Sequence, residues 1–297
     1  MSLPSPKSIR TGELEVQYFE WNPQAQQTFI LVHGWPDAPR TWIPMASLLA
    51  DQGFRVLAPT LRGFGGTKFI SGETPRSGQL SVLSRDLVEF IERLRAQGAV
   101  LVGHDWGARA AAGAVGLQPD IASHLVMVSV GYGTNDPSQV LTFEQSKNFW
   151  YHWFMATDYG QSAVRRDPKA FAKSMWDMWS PQGWYAEDEF DETARAFENP
   201  DWLAVTLHSY QHRWGHADGF VEHAKDQERL SPAPQIRTPT LMVHGGADTC
   251  SLPATSEGKE RYFEGLYRRV VLPGVGHFPQ REDPKALHAA LMDFVGR

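Results

Sequence analysis

The 297 residues contain one cysteine, Cys250. A lone thiol excludes an intramolecular disulfide and is too few for a cysteine-rich zinc site. Long apolar runs are also missing, so no segment approaches membrane-spanning length. Met1 to Arg10 is polar and proline-rich and lacks an apolar signal core. Positive charge is not in excess. The formal net charge is −6, which gives no reason to expect nucleic acid or an anionic membrane as partner. No internal repeat or low-complexity tract occurs. What remains is 42% hydrophobic and 21% charged residues, the balance of a soluble globular enzyme, expected in the cytoplasm. The length fits one α/β domain with an insertion, or two small domains.

Glu13 to Trp21 alternates Leu14, Val16 and Tyr18 with polar residues, which predicts an exposed antiparallel strand. Thr28 to Val32 is continuously apolar, as a buried parallel strand is. Phe54 to Ala58 reads as the next strand, followed by the glycine-rich loop Arg62 to Gly66. Leu80, Leu83, Leu87, Phe90, Ile91 and Leu94 recur at helical spacing, so residues 79–97 form an amphipathic helix with Gly98 as its stop. Further strands are predicted at Ala99 to Val102, His124 to Val130, Thr240 to His244 and Arg269 to Leu272, with a last helix from Asp283 to Val295. Strands alternating with helices imply a mostly parallel sheet with helices on both faces.

Composition changes near Gly131. Up to Arg229 no buried-strand run occurs, while seven of the eleven tryptophans do, from Trp150 to Trp214. Helical fragments break at Pro168, Pro181 and Pro200, and Ser231 to Pro234 links back to the sheet. This stretch reads as a helical cap inserted at 132–230 into a core formed by 1–131 and 231–297. Most of its aromatics suit ordinary packing. Those facing the sheet, with Trp150, Trp153 and Phe154 as candidates, would line an apolar substrate pocket.

The chain is organised around Gly103-His104-Asp105-Trp106-Gly107. A buried strand, a glycine-bracketed turn and a small-residue helix match the nucleophile elbow G-x-Nuc-x-G. The usual occupant is Ser; here it is Asp105. An Asp side chain is ordinarily ionised near neutral pH and needs no base to activate it. It attacks amides poorly, but it displaces a leaving group from saturated carbon and forms an ester on the enzyme. A His then deprotonates the water that cleaves the ester. Asp at that position also suits a helix N-cap, so the elbow alone does not decide.

Two later loops supply the remaining groups. Gly245-Gly246-Ala247-Asp248 and Gly274-Val275-Gly276-His277 each follow a predicted strand. Asp248 would orient and charge-stabilise His277, which would activate water. Each also has a plain reading, Asp248 as a turn residue and His277 as a packed histidine. Asp136, after the strand ending at Val130, is the substitute acid. In His33-Gly34-Trp35-Pro36, the backbone N–H groups of Trp35 and Trp106 are the candidate oxyanion hole, and His33 is a structural hydrogen-bonder. Pro36 fixes this turn, and a cis bond would suit it.

On HGWPD (33–37), GHDWG (103–107), GGAD (245–248) and GVGHF (274–278), the chain resembles the epoxide hydrolase and haloalkane dehalogenase branch of the α/β-hydrolase fold family. The order Asp105, Asp248, His277 matches the family's nucleophile–acid–His order. The resemblance implies an α/β-hydrolase fold with an inserted helical cap, no cofactor and no metal. Its partners would be a small apolar substrate and water, with no nucleic acid and no membrane span, and a homodimer left open. Dehalogenases hold halide with the tryptophan after the nucleophile and either an Asn after His-Gly or a cap Trp. Trp106 is present, but Trp35 stands at the Asn position. Epoxide hydrolases donate protons from two cap tyrosines. Tyr151, in WYHWF, and Tyr210, in LHSYQHR, match those motifs, the second with altered spacing to its Arg. Ala108 replaces a common glycine, and Thr60 stands where relatives often have Asp. The Arg directly after the nucleophile that marks fluoroacetate dehalogenases is absent, so a small haloacid is not expected. The resemblance therefore implies opening of an apolar epoxide to a vicinal diol. Halide release from a haloalkane is the alternative, and a catalytically silent binder of a hydrophobic ligand is a third reading.

Overall fold

The computed structural model describes residues 3–134 and 140–296. Nine strands form one sheet: β1 (Lys7–Arg10), β2 (Leu14–Trp21), β3 (Thr28–Val32), β4 (Arg55–Pro59), β5 (Lys68–Phe69), β6 (Ala99–His104), β7 (Ala122–Val128), β8 (Thr240–Gly245) and β9 (Tyr267–Leu272). Their order is β1-β2-β4-β3-β6-β7-β8-β9, with β5 pairing β2. From β4 to β9 every neighbouring pair is parallel, while β1, β2 and β5 pair antiparallel.

Side chains on a strand alternate between faces, and here both faces are apolar. Ile30, Val32, Leu101, Leu125, Met127 and Met242 face α2 (Leu80–Arg93) and α3 (Trp106–Leu117) in one core. Phe29, Leu31, Val102, Val126, Leu241 and Val243 face Met45 and Leu49 of α1 (Ile43–Asp51), together with Leu287 and Leu291 near the C-terminus, in the other. This is the α/β-hydrolase fold, a mostly parallel sheet flanked by helices. Continuously apolar central strands make it legible.

Between β7 and β8 the described residues form only helices: α4 (Phe143–Asn148), α5 (Trp150–Ala156), α6 (Asp158–Arg166), α7 (Pro168–Trp179), α8 (Glu187–Ala194), α9 (Trp202–Arg213), α10 (Ala224–Leu230) and short 3-10 turns. Pro168 opens α7, where a missing N–H costs nothing, and Asp167 caps it through the Ala170 N–H at 2.9 Å. After β9 come α11 (Pro279–Glu282) and α12 (Pro284–Phe294), the latter capped by Asp283. No helix among the described residues is long and apolar enough to cross a membrane.

Two local expectations change. β2 is not an exposed strand. It lies between β1 and β4, and Leu14, Val16 and Tyr18 are buried in the core with Leu87 and Phe90 of α2, Tyr18 meeting Phe90 edge-on, while Glu15 on the other face stays exposed. α2 stops at Arg93 rather than Gly98. Arg95 takes φ 51°, the Arg95 and Ala96 N–H groups close the last turn, and Gly98 serves the next turn, into β6.

Candidate active site

Parallel strands bring their C-terminal ends to one edge of the sheet, where open α/β sheets place their sites. Asp105 follows β6, Asp248 follows β8, His277 follows β9, and Trp35 follows β3. Asp105 has φ 48°, a left-handed conformation that a non-glycine residue adopts only when its surroundings enforce it. The flanking glycines provide the space. A Cβ on Gly107 would lie 2.1 Å from the Val32 carbonyl oxygen, and one on Gly103 would lie 2.2 Å from that of Gly107. Asp105 occupies the N-cap position of α3, yet its side chain makes no capping hydrogen bond. Its Oδ1 instead accepts the Trp35 N–H at 2.9 Å.

Asp105 Oδ2 lies 4.0 Å from His277 Nε2, which is buried and has no hydrogen-bond partner among the described residues. His277 Nδ1 donates to Asp248 Oδ2 at 2.8 Å. Asp248 Oδ1 accepts from the Cys250 and Ser251 N–H groups at 2.8 and 3.0 Å. Asp248 therefore makes a turn and holds His277 at once. Burial acts to lower the His277 pKa, but the charge and hydrogen bond of Asp248, with Asp105 behind them, raise it overall. Burial acts in the opposite direction on Asp248, and its histidine neighbours hold it below the ordinary carboxylate value. The substitute acid, Asp136, lies outside the described residues.

The supports of His277 were not singled out in the sequence. His104 Nε2 donates to the His277 carbonyl at 2.7 Å. The His277 N–H donates to Ser180 Oγ at 2.8 Å and to the Trp179 carbonyl at 3.2 Å. Ser180 Oγ donates to Glu282 Oε1 at 2.6 Å, and Glu282 accepts the Gly276 and Phe278 N–H groups. His244 adds a contact to Asp248 Oδ2 at 3.4 Å. His33 Nε2 accepts the Leu61 N–H at 3.1 Å, and burial lowers its pKa to about 4, so it serves as a neutral structural bridge. Asp37 pairs with Arg281 at 2.6 Å, which fixes the HGWPD loop against α11. The Trp35–Pro36 bond is cis.

The Trp106 N–H opens α3, and the first amides of a helix have no intrahelical acceptor. It is thus free for an oxyanion, alongside the Trp35 N–H that already holds Asp105 Oδ1. Trp35 is fully buried at the centre of an aromatic cluster. Its ring stacks on Tyr151 at 5.7 Å and 10°, meets Tyr210 edge-on at 5.1 Å, and lies 5.9 Å from Trp179. Tyr151 and Tyr210 are themselves 5.4 Å apart. The Tyr210 hydroxyl accepts the Trp106 indole N–H at 3.1 Å, which leaves its own proton to donate. The Tyr151 hydroxyl lies 3.5 Å from Cys250 Sγ. Among the described residues neither hydroxyl bonds to backbone. Burial above all, with the Asp105 charge adding to it, holds both phenols far above their ordinary pKa.

The other three pocket candidates fall elsewhere. Tyr151 and Met155, four residues apart on α5, face inward, which turns their neighbours aside. Trp150 is 36% exposed and packs with Phe154 on Phe171. Trp153 packs on Trp214 and donates its indole N–H to the Ser146 carbonyl. The wall beside His277 is instead Trp179, 5.0 Å away edge-on. No cluster of three or more metal-ligating side chains occurs among the described residues.

Comparison with known proteins bears on the whole chain. A family model described as the alpha/beta hydrolase fold matches residues 27–284. Epoxide hydrolase A of Mycobacterium tuberculosis is 25% identical, over 99% of this chain and 98% of its own. A crystal structure from Klebsiella pneumoniae, named as a candidate epoxide hydrolase, is 35% identical with a TM-score of 0.92, covering 99% of this chain and 98% of its own. Epoxide Hydrolase A from Mycobacterium thermoresistibile shares the fold, with a TM-score of 0.79 at 23% identity over 99% of this chain and 98% of its own.

Proposed function

The chain belongs to the α/β-hydrolase fold family as an epoxide hydrolase-like enzyme, and from that premise we propose that it opens an apolar epoxide to a vicinal diol through an ester on Asp105. Asp105 Oδ2 attacks an epoxide carbon as that carbon's bond to the ring oxygen breaks. Tyr151 and Tyr210 hydrogen-bond the ring oxygen and supply its proton. His277 then takes a proton from water, whose oxygen adds to the Asp105 carbonyl carbon. The carbonyl oxygen, Oδ1, becomes an oxyanion held by the Trp35 and Trp106 N–H groups. Collapse releases the diol and restores the carboxylate, and the proton held by His277 replaces the one the tyrosines gave. Residues 132–230 act as the cap over a core of 1–131 and 231–297, and the setting is the cytoplasm.

One observation carries this reading. Two buried phenols pack on each other and on Trp35, whose backbone N–H holds Asp105 Oδ1, and the Tyr210 hydroxyl accepts the Trp106 indole N–H and so keeps its own proton to donate. The same bond disfavours halide as leaving group. The Trp106 indole N–H is given to Tyr210, and that of Trp35 to Thr206 Oγ1 at 3.1 Å. The dehalogenase alternative keeps one supporting feature, the buried indole N–H of Trp202, which has no hydrogen-bond partner among the described residues. A panel of epoxides and haloalkanes, assayed for diol and for halide, separates the two. Diol without halide is expected; halide release without diol contradicts the proposal.

A further inference from the structure

The two phenols of the site have unequal surroundings. Tyr210 and Arg213 stand three residues apart on α9, a spacing that puts both side chains on one face of the helix. The Arg213 guanidinium lies over the Tyr210 ring, its carbon 4.8 Å from the ring centroid. At the other end of the same side chain, the Tyr210 hydroxyl accepts the Trp106 indole N–H at 3.1 Å. A cation on the ring face and a donor at the oxygen both favour phenolate over neutral phenol. Tyr151 is placed differently. Its ring stacks on Trp35 and meets His152 edge-on at 4.3 Å, and its hydroxyl lies 3.5 Å from the Cys250 thiol, a weak partner.

The other titratable groups around the pair do not reverse this difference. His152 tilts against Tyr210 at 4.7 Å, and burial, then the charges of Arg213 and Arg109, hold its pKa well below the ordinary histidine value, so it is neutral. Burial above all pushes the Cys250 thiol far up, so it is neutral too. The Asp105 charge disfavours a phenolate on either ring. Burial first and Arg213 second lower the Arg109 pKa to about 10, which leaves it cationic near neutral pH; its charge reaches both phenols and does not choose between them. Arg213 is the charge that acts against burial and Asp105 at Tyr210.

The difference matters when the epoxide ring opens. As Asp105 Oδ2 bonds to carbon, the electron pair of the broken carbon–oxygen bond stays on oxygen, which takes one phenolic proton. The phenol that gives it carries a negative charge until the proton that His277 takes from water replaces it. That charge lasts for the lifetime of the ester. We propose that Arg213 is the positioning charge of this step: it holds the phenolate on Tyr210, so that Tyr210 is the acid, while Tyr151 keeps its proton and only hydrogen-bonds the ring oxygen. This rests on the epoxide reading above.

The test follows the ester by rapid-quench intact mass on the full chain, which reads alkylation and hydrolysis separately. Propylene oxide and trifluoropropylene oxide are the substrates. The trifluoromethyl group makes the departing alkoxide less basic and less dependent on an acid. Arg213→Met should slow alkylation by propylene oxide about ten- to thirtyfold, and Arg213→Lys should recover part of the loss. Hydrolysis of an ester already formed should change by less than about threefold. With trifluoropropylene oxide the loss in alkylation should shrink to about threefold or less. In a double-mutant cycle the loss should persist beside Tyr151→Phe and nearly vanish beside Tyr210→Phe. A loss of equal size with both oxides, or beside either Phe variant, marks a merely structural role and overturns the proposal. Alkylation by Arg213→Met at the parent rate also overturns it. A parent enzyme that forms neither ester nor diol from any epoxide of the panel overturns the epoxide reading, and the proposal with it.

Discussion

His277 Nε2 faces Asp105 Oδ2 across 4.0 Å, with its other nitrogen locked to Asp248 at 2.8 Å. The gap is too long for a direct hydrogen bond. Under the proposed mechanism this pair separates the two steps: the carboxylate attacks carbon unaided, and the imidazole acts only on water.

pH dependence should follow from that separation. The His277 pKa is raised overall, and the imidazole must be neutral to accept a proton. Ester hydrolysis should therefore fall as pH drops through a value above that of an ordinary histidine, while alkylation declines less. Single-turnover rates of the two steps against pH check this. The sign reverses for stability: the charged imidazole's contacts with Asp248 stabilise the fold at low pH, and that contribution is lost as pH rises through the raised pKa.

Asp248→Asn removes the charge that raises His277 and offers His277 Nδ1 either an oxygen or an NH2 group. Turnover should drop by roughly a hundred- to ten-thousandfold. The remaining hydrolysis limb should move to lower pH. Steady-state rates across pH test it; near-full activity would move the role to another acid.

Tyr151→Phe and Tyr210→Phe should each slow alkylation by roughly ten- to a thousandfold. The double variant should nearly abolish it, while hydrolysis of an ester already formed changes little. Stopped-flow tryptophan fluorescence can follow both steps, because Trp35 and Trp106 contact these rings. Parent-like rates in both single variants would favour the halide alternative.

Gly107→Ala should destabilise the fold by about 2 kcal/mol or more, because its Cβ would meet the Val32 carbonyl oxygen at 2.1 Å and backbone cannot yield cheaply. Urea denaturation measures it.

The elbow and the two later loops were legible because each is a glycine-rich turn after an apolar strand, a pattern local in sequence. The sheet followed from the same runs. The supports of His277 were not legible. His104, Ser180 and Glu282 come from three distant segments, and no short motif records their meeting. Trp179 was hidden among the many aromatics between β7 and β8, although the break at Ser180-Pro181 marks where α7 ends beside the site. Helical phase was the missing information on α5. Aromatic content alone marked Trp150, Trp153 and Phe154, whereas the inward face carries Tyr151 and Met155. Arg109 lay unremarked in the small-residue helix, where only the fold reveals that its buried Nε has no hydrogen-bond partner among the described residues.

The central claim is a covalent ester on Asp105. The most direct measurement is the intact mass of His277→Gln after exposure to an epoxide that the parent enzyme turns over. The account predicts a stable mass increase equal to one substrate molecule, mapped by peptide digestion to Asp105, because alkylation needs no base and hydrolysis does. An unmodified mass, with the variant folded and the substrate shown to be good, would contradict it.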